Sequence, residues 1–481
     1  MIIPKNIILK RFFQSLVLGI ISPIVLAACA NSQRYINTDV ANIKTYADSQ
    51  NQIFEQAKKD KKIKNSPITL ITDSGIVTDN SFNQSLWEAI SRVSVQAGIN
   101  NSGYQETTKS NDLPQQYNLA LNDKKIWVLS GFGQQEKFKE WLKVPANKKS
   151  FVEKKIVVLA IDWDFKDNNT EFMPQGQGIS LNYKTEQSAF IVGYATAAYL
   201  AAKYHNEETK RVVSGFGGGN FYGVTSFLSG WLAGIGYWNH NNTDINDPAF
   251  TNAKNKKVKF NQDTIILDTG FSETTAVKQK VTALVKEKTP QVVLPVAGTL
   301  TGTTLNAIRD SQTVIGVDSN QALAFPAFKN KFFTSIEKRV GLTAYRVLSA
   351  LLRDDLDSEF LKQDASNKFV LTGATNAANL HLFKGFNDRF VDYSPSQLAN
   401  ANDRTLAEKA LELGKKVFEE KTKNNSSSNS TTNIEPAGVM ISKEHPALKI
   451  PDMSDPSKNQ EYLDKYIKEY INNTTTTKSN K

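Results

Sequence analysis

Cysteine is almost absent, for the 481 residues hold only Cys29. A disulfide within the chain is impossible, and a metal site built on thiolates is excluded. Histidine is scarce as well: His205, His240, His381 and His445 stand in unrelated contexts, with no pair at i, i+4. Neither H-E-x-x-H nor G-x-S-x-G occurs, and the phosphate loop G-x-x-x-x-G-K-[ST] is missing. The run Gly215 to Gly223 is rich in glycine, but Asn220 stands where a dinucleotide fingerprint needs its third glycine. Asp162 and Asp164 are the nearest thing to paired acids. On one strand-end loop, however, they would alternate sides, which suits binding or solvation better. These absences argue for a protein that is not an enzyme and carries no cofactor and no metal.

A long apolar run is missing too. The stretch Phe12 to Leu26 is too short, and too interrupted by Pro and Gly, for a membrane span. It follows Lys5, Lys10 and Arg11 and ends in Leu26-Ala27-Ala28-Cys29. This resembles a bacterial lipobox, in which the cysteine is lipidated and becomes N-terminal once the signal peptide is removed. The expectation is a signal peptide over 1–28 and a lipid anchor on Cys29, holding the protein on the extracytoplasmic face of the cell membrane. Formal net charge is +10. Removing three positive charges and no negative ones leaves 10 − 3 = +7 on the mature chain. No basic block stands out among the interspersed acids and amides, so nucleic acid is not an expected partner.

The length suggests two domains. Residues 29–66, rich in Asn, Gln, Lys and Asp, read as a tether with a short helix near Ile53 to Lys61. From Pro67 onward, short β-branched runs alternate with longer helical patterns. The runs are Ile68–Thr72, Ile126–Ser130, Ile156–Ile161, Arg211–Phe216, Thr264–Asp268, Val292–Val296 and Val314–Val317. Strands apolar on both faces, alternating with helices, predict an α/β fold of two doubly wound parallel-sheet lobes with a ligand cleft between them. We assign 67–182 and 340–365 to the first lobe, and 183–339 and 366–422 to the second. Residues 423–433 read as a low-complexity linker, and 434–481 as a C-terminal extension.

In such sheets ligands sit beyond the carboxyl ends of the strands. The loops there carry glycines, acids and aromatics: Asp73-Ser-Gly75, then the stretch to Thr78-Asp-Asn-Ser-Phe82-Asn-Gln-Ser85, Gly131-Phe132-Gly133, Asp162-Trp-Asp164, Gly217-Gly-Gly219, Asp268-Thr-Gly-Phe271, Ala297-Gly298 and Asp318-Ser-Asn-Gln321. Each candidate also has a plain structural reading. Phe82 and Phe271 could be core, Asp162 and Asp318 turn or cap residues, and Lys338 a solvated charge between Glu337 and Arg339. Asn83 and Gln84 could cap the following helix.

Five segments together resemble the basic membrane protein family of bacterial substrate-binding lipoproteins, which serve ABC transporters and are related to the purine nucleoside receptors. They are Gly75 to Glu88, Phe227-Leu-Ser-Gly-Trp-Leu-Ala-Gly234, Pro295-Val-Ala-Gly298, Val314 to Gln321, and Thr334-Ser-Ile-Glu-Lys338. The resemblance implies a type I periplasmic-binding-protein-like fold with three crossovers and a nucleoside in the cleft. It places the base between Phe82 and Phe271. Asp79, Asn83 and Asp162 would contact the ligand, Gly298 would offer its backbone, and Asp318 and Lys338 would take the ribose. It also implies permease and ATPase subunits on other chains. Departures around Gly217 to Gly223, with insertions near Asn239 to Lys259, bear on which ligand is bound. A sugar remains the alternative ligand on the same fold, and a surface adhesin the alternative role.

Overall fold

The structure is a computed structural model that describes residues 38–73, 75–107, 109–167, 170–243, 245–425 and 453–472. The expected signal peptide, Cys29 and most of the expected linker lie outside the described residues.

Two six-stranded sheets organise the chain. The first has the order β11-β5-β4-β3-β1-β2, with β1 Ile68–Thr72, β2 Gly103–Gln105, β3 Ile126–Ser130, β4 Val157–Ile161, β5 Gly178–Tyr183 and β11 Leu380–Lys384. The second has the order β12-β10-β9-β8-β6-β7, with β6 Val212–Gly217, β7 Lys259–Phe260, β8 Val292–Val296, β9 Thr313–Asp318, β10 Phe332–Lys338 and β12 Val391–Tyr393. Within these two sheets every pairing is parallel except β10 with β12. The register sets Ile68 beside Ile126 and Val317 beside Ile336. Residues of β1, β3, β4, β6 and β8 are buried throughout, as expected where helices cover both faces.

The chain crosses between lobes three times: from Tyr183 to Thr185, from Lys338 to Val340, and between Lys384 and Val391. Helices Thr185–Lys203 and Tyr222–Asn241 form the centre of the second lobe. Gly230 and Gly234 let them touch, because a Cβ there would lie 2.3 and 2.2 Å from the carbonyl oxygens of Glu186 and Phe190. That part of the Phe227–Gly234 motif is explained by packing.

Three expectations need correction, and one segment left open finds its place. Thr264 to Asp268 does not form a strand; only Ile266 makes an isolated bridge, to Phe216. The backbone N–H of Ile265 donates to Asp464 and its carbonyl accepts from Gln460, so a C-terminal helix supplies partners that a ladder would have supplied. Residues 366–422 do not all join the second lobe, since Leu380–Lys384 pairs with β5 at the edge of the first sheet. Residues 38–66 are not simply a tether. Ile43, Ala47, Phe54 and Ala57 recur at helical spacing, and the first three enter the first-lobe core. Finally, the described part of the C-terminal extension, Met453 to Asn472, packs on the second lobe through Leu463, Tyr466, Ile467 and Ile471.

Candidate functional site

Loops at the carboxyl ends of β1, β3, β4, β6, β8 and β9 enclose a cavity of about 600 Å3 between the lobes, within the usual range for small-molecule sites. Asp79, Phe82, Asn83, Asp162, Phe271, Gly298, Asp318 and Lys338 all line it. These residues span some 260 positions of sequence, and only the doubly wound topology brings them together.

The loop after β1 is held by Asp79. One carboxylate oxygen accepts from the N–H groups of Ser81 (2.9 Å) and Gln84 (3.1 Å). The other accepts from the N–H of Asn83 (3.0 Å) and from its side-chain amide (3.1 Å). Asp79 thus satisfies the orphan donors at the start of helix Phe82–Ala97, and the capping part considered for Asn83 and Gln84 falls to it. Burial pushes its carboxyl up to about 6 despite those donors. The Asn83 side chain also accepts from Ser130 Oγ at 2.7 Å. With its backbone fixed in this way, Phe82 lies half-buried, resting on the first-lobe core while facing the cavity.

Asp162 directly follows β4 and Asp318 ends β9, and both adopt left-handed backbone, with φ of 69° and 65°. Aspartate tolerates that region better than most residues, but it remains costly and concentrates at functional loops. Asp162 pairs with Lys338 at 2.6 Å, and the two side chains are 12% and 2% exposed. Lys338 is therefore not a solvated surface charge. It also donates to the Gly223 carbonyl at 3.1 Å, with its ammonium 5.6 Å from the Phe82 ring centroid and 5.1 Å from that of Phe227. Asp318 caps no helix: its carboxylate accepts from Ser81 Oγ of the opposite lobe at 2.9 Å. Burial raises its carboxyl, while Lys338 and Ser81 pull it back. Further cross-lobe bonds run from Ser81 Oγ to the Val317 carbonyl (3.4 Å) and from Gln321 Nε2 to the Asn80 carbonyl (3.4 Å).

From the second lobe, Phe271 reaches the cavity beside Phe221, at 6.0 Å between ring centroids. The glycine run after β6 has a steric cause. A Cβ on Gly218 would lie 2.6 Å from the Phe271 ring, and one on Gly219 would lie 2.5 Å from the Phe221 ring. The glycines seat two aromatic rings. Phe221, Phe227 and Phe132 also line the cavity and were not singled out as site residues. The signal available for Phe132 and Phe221 was an aromatic among glycines at a strand end.

Residues 68–246 match the Bmp family model, described as an ABC transporter substrate-binding protein, PnrA-like. No curated protein matches the sequence at a significant level. Among solved structures, an ABC transporter solute-binding protein from Aeropyrum pernix K1 superposes with a TM-score of 0.54 at 17% identity, covering 77% of this chain and 94% of its own. A similarity at that identity speaks for the fold alone, here the type I periplasmic-binding-protein-like arrangement of two α/β lobes. A transcriptional activator of the comK gene from Bacillus halodurans (12% identity, 73% and 97% coverage, TM-score 0.46) is more distant. So is an ABC transporter solute-binding protein from Conexibacter woesei (14%, 74% and 97%, TM-score 0.44).

Proposed function

Over residues 68–246 the chain is a PnrA-like ABC transporter substrate-binding protein of the Bmp family, and from that premise we propose that it captures a nucleoside, with a purine base preferred, by closing two lobes on it. One observation carries this reading. A single cavity holds a phenylalanine from each lobe, Phe82 and Phe271, together with a buried Asp162–Lys338 pair and Asp318. A nucleoside offers an apolar, polarisable plane and a polar diol. Stacking rings and clustered carboxylates with one ammonium are the complementary chemistry.

In this reading Phe82 and Phe271 take the faces of the base. Asn83 and Asp162 contact its edge or the sugar, and the Gly298 backbone adds a contact. Asp318 accepts from the ribose hydroxyls and Lys338 donates to the ring side of the sugar. Asp79 acts by holding the loop that presents Phe82. The closed protein then delivers its ligand to a permease powered by an ATPase, both encoded by other chains. Lipid on Cys29 keeps the protein at the extracytoplasmic membrane surface. Among the described residues no helix is long and apolar enough to cross a membrane. Binding and release exhaust the chemistry, with no catalytic step.

Isothermal titration of the mature chain with nucleosides, free bases, ribose and hexoses tests the assignment. Inosine, guanosine or adenosine should bind, and Phe82→Ala and Asp318→Ala should each abolish or strongly weaken binding. Heat from a sugar and none from any nucleoside would replace the ligand class; heat from nothing would favour an adhesin role.

A further inference from the structure

Phe132 is a large apolar side chain for which the fold has no need. It is 41% exposed, belongs to none of the hydrophobic clusters, and sits at the tip of Gly131-Phe132-Gly133. Yet the tip is built with care. Gly131 adopts φ +103°, and a Cβ there would run into the Asp73 carboxylate. Asp73 Oδ2 accepts from the Gly133 N–H at 2.7 Å, and the Gly131 N–H donates to the Ile161 carbonyl at 3.1 Å. The loop is thus pinned on both sides of a side chain that it pushes outward. What that side chain meets is Phe221 of the other lobe, at 5.1 Å between centroids and 7° between planes. Phe221 is held in turn, with its ring seated over Gly219 and its carbonyl accepting from the N–H groups of Val224 and Thr225.

The stack joins the lobes at the exposed rim of the cavity, and both rings line it. It can exist only when the lobes are closed, because the two rings belong to different sheets. We infer that Phe132 and Phe221 form an aromatic latch on the cleft mouth, which assembles on closure and sets the rate at which ligand escapes. The inference rests on the binding reading above for its occupant but not for its geometry. An offset parallel ring pair contributes enough to change an opening rate by about two- to tenfold. Because the latch forms after the ligand has entered, its loss should appear in koff and spare kon.

Two measurements on the full mature chain, with Cys29 replaced by Ser, separate the latch from the ligand assignment. The first is stopped-flow release of inosine from the wild type, Phe132→Ala, Phe221→Ala and the double variant. Release should accelerate about two- to tenfold in each single variant, and the double variant should be no faster than the faster single. Phe132→Tyr should release as slowly as the wild type. The second is the distance between spin labels on Lys149→Cys and Lys416→Cys, side chains 75% and 72% exposed and one on each lobe. Without any ligand, both alanine variants should shift that distribution toward wider separations. Unchanged distances together with unchanged release would overturn the latch. So would rate increases that multiply in the double variant, since the rings would then act separately on the ligand. If inosine does not bind, the nucleoside reading fails while the label distances still decide the latch. Phe132 lies outside every core cluster, so its alanine variant should melt at the wild-type temperature. That keeps the test valid even if Phe221→Ala loosens the second lobe.

Discussion

The Lys338–Asp162 pair offers the sharpest test of how the cleft is held. Replacing Lys338 by Met keeps the length and apolar bulk of the side chain, so packing against Phe82 and Phe227 changes little. What disappears is the cation. Asp162, 12% exposed, is left without its 2.6 Å partner, and the Gly223 carbonyl loses a donor. Asp318 feels the loss as well, because Lys338 is the chief influence lowering a carboxyl that burial has already raised. Removing one partner of a buried pair costs about 3–5 kcal/mol, since it strands the other charge. The upper half of that range suits this site, where Lys338 is 2% exposed and two carboxylates depend on it.

The sign with pH follows from the acids. With Lys338 gone, the folded-state value for Asp318 rises further above its unfolded value. A carboxyl raised in this way costs stability at pH values above its unfolded-state value and nothing below it, so the deficit is larger at pH 7 than at pH 5. Urea denaturation of the wild type, Lys338→Met, Asp162→Asn and the double variant at both pH values provides the assay. The double variant should recover the part of the loss that comes from stranding Asp162 and not the part that falls on Asp318, which still lacks its cation, and it should not bind inosine. If Lys338→Met were as stable as the double variant at pH 7, the ion pair would be screened by water and the argument would collapse.

Other consequences are accessible to simple experiments. Burial would push the His381 imidazole down, but Asp164 at 2.9 Å and Glu171 at 3.2 Å hold it up at about 9. The gap from the free value of 6.5 corresponds to about 3 kcal/mol at 1.36 kcal/mol per pH unit, discounted to about 2 kcal/mol for the partial exposure of these groups. That stabilisation is complete below pH 6.5 and lost as pH rises through 9, so denaturation midpoints should fall between pH 7 and 10 in the wild type and stay flatter in His381→Gln. Among the described residues the cavity is lined by Asp73, Asp79, Asp162, Glu273 and Asp318 against the single cation Lys338. Like charges brought together cost several kcal/mol. Adenosine should therefore bind at least a hundredfold tighter than its 5′-monophosphate in competition titrations, and equal affinity would contradict the acidic site. Deleting residues 453–481 exposes surface now covered by Met453, Leu463, Tyr466, Ile467 and Ile471, all at most 4% exposed. The melting temperature should drop by many degrees, and an unchanged melt would mean that the segment does not dock.

Much of the fold was legible because its strands are short Val/Ile runs with no polar face, a pattern that only two-sided burial explains. The candidate ligand residues were legible for a related reason: acids, glycines and aromatics are out of place directly after such runs. The misreadings came where local pattern and long-range partner diverge. Ile265, Ile266 and Leu267 carry strand residues, but side chains some two hundred positions away take both backbone groups of Ile265, and Ile266 keeps only a bridge to Phe216. Leu380–Lys384 alternates buried and half-buried residues at a sheet edge, and nothing local says which sheet claims it. Phe132, in one of the strand-end loops, is not among the candidate ligand residues, because the value of an exposed ring depends on a partner in the other lobe.

The two chain ends share a further logic. At the N-terminal side, Glu88 is 2% exposed and accepts from the N–H groups of Val40 (3.2 Å) and Ala41 (2.8 Å) and from Thr38 Oγ1. Gln84 Nε2 donates to the same Thr38 oxygen, and Gln84 Oε1 accepts from the Asn80 N–H in the ligand loop. At the C-terminal side, Asn220 in the loop that carries Phe221 donates to the Pro456 carbonyl at 2.8 Å, and Asn459 donates to Thr225. Each terminal segment thus braces the back of one cavity loop. Loops rich in glycine and polar residues have little core of their own, and such regions open locally at low cost unless something outside the loop holds them. These segments, outside the matched residues 68–246, therefore support the loops of the candidate site. A fragment trimmed to 68–352 would keep the β1, β3, β4, β6, β8 and β9 strands while losing the contacts that hold its cavity loops in place.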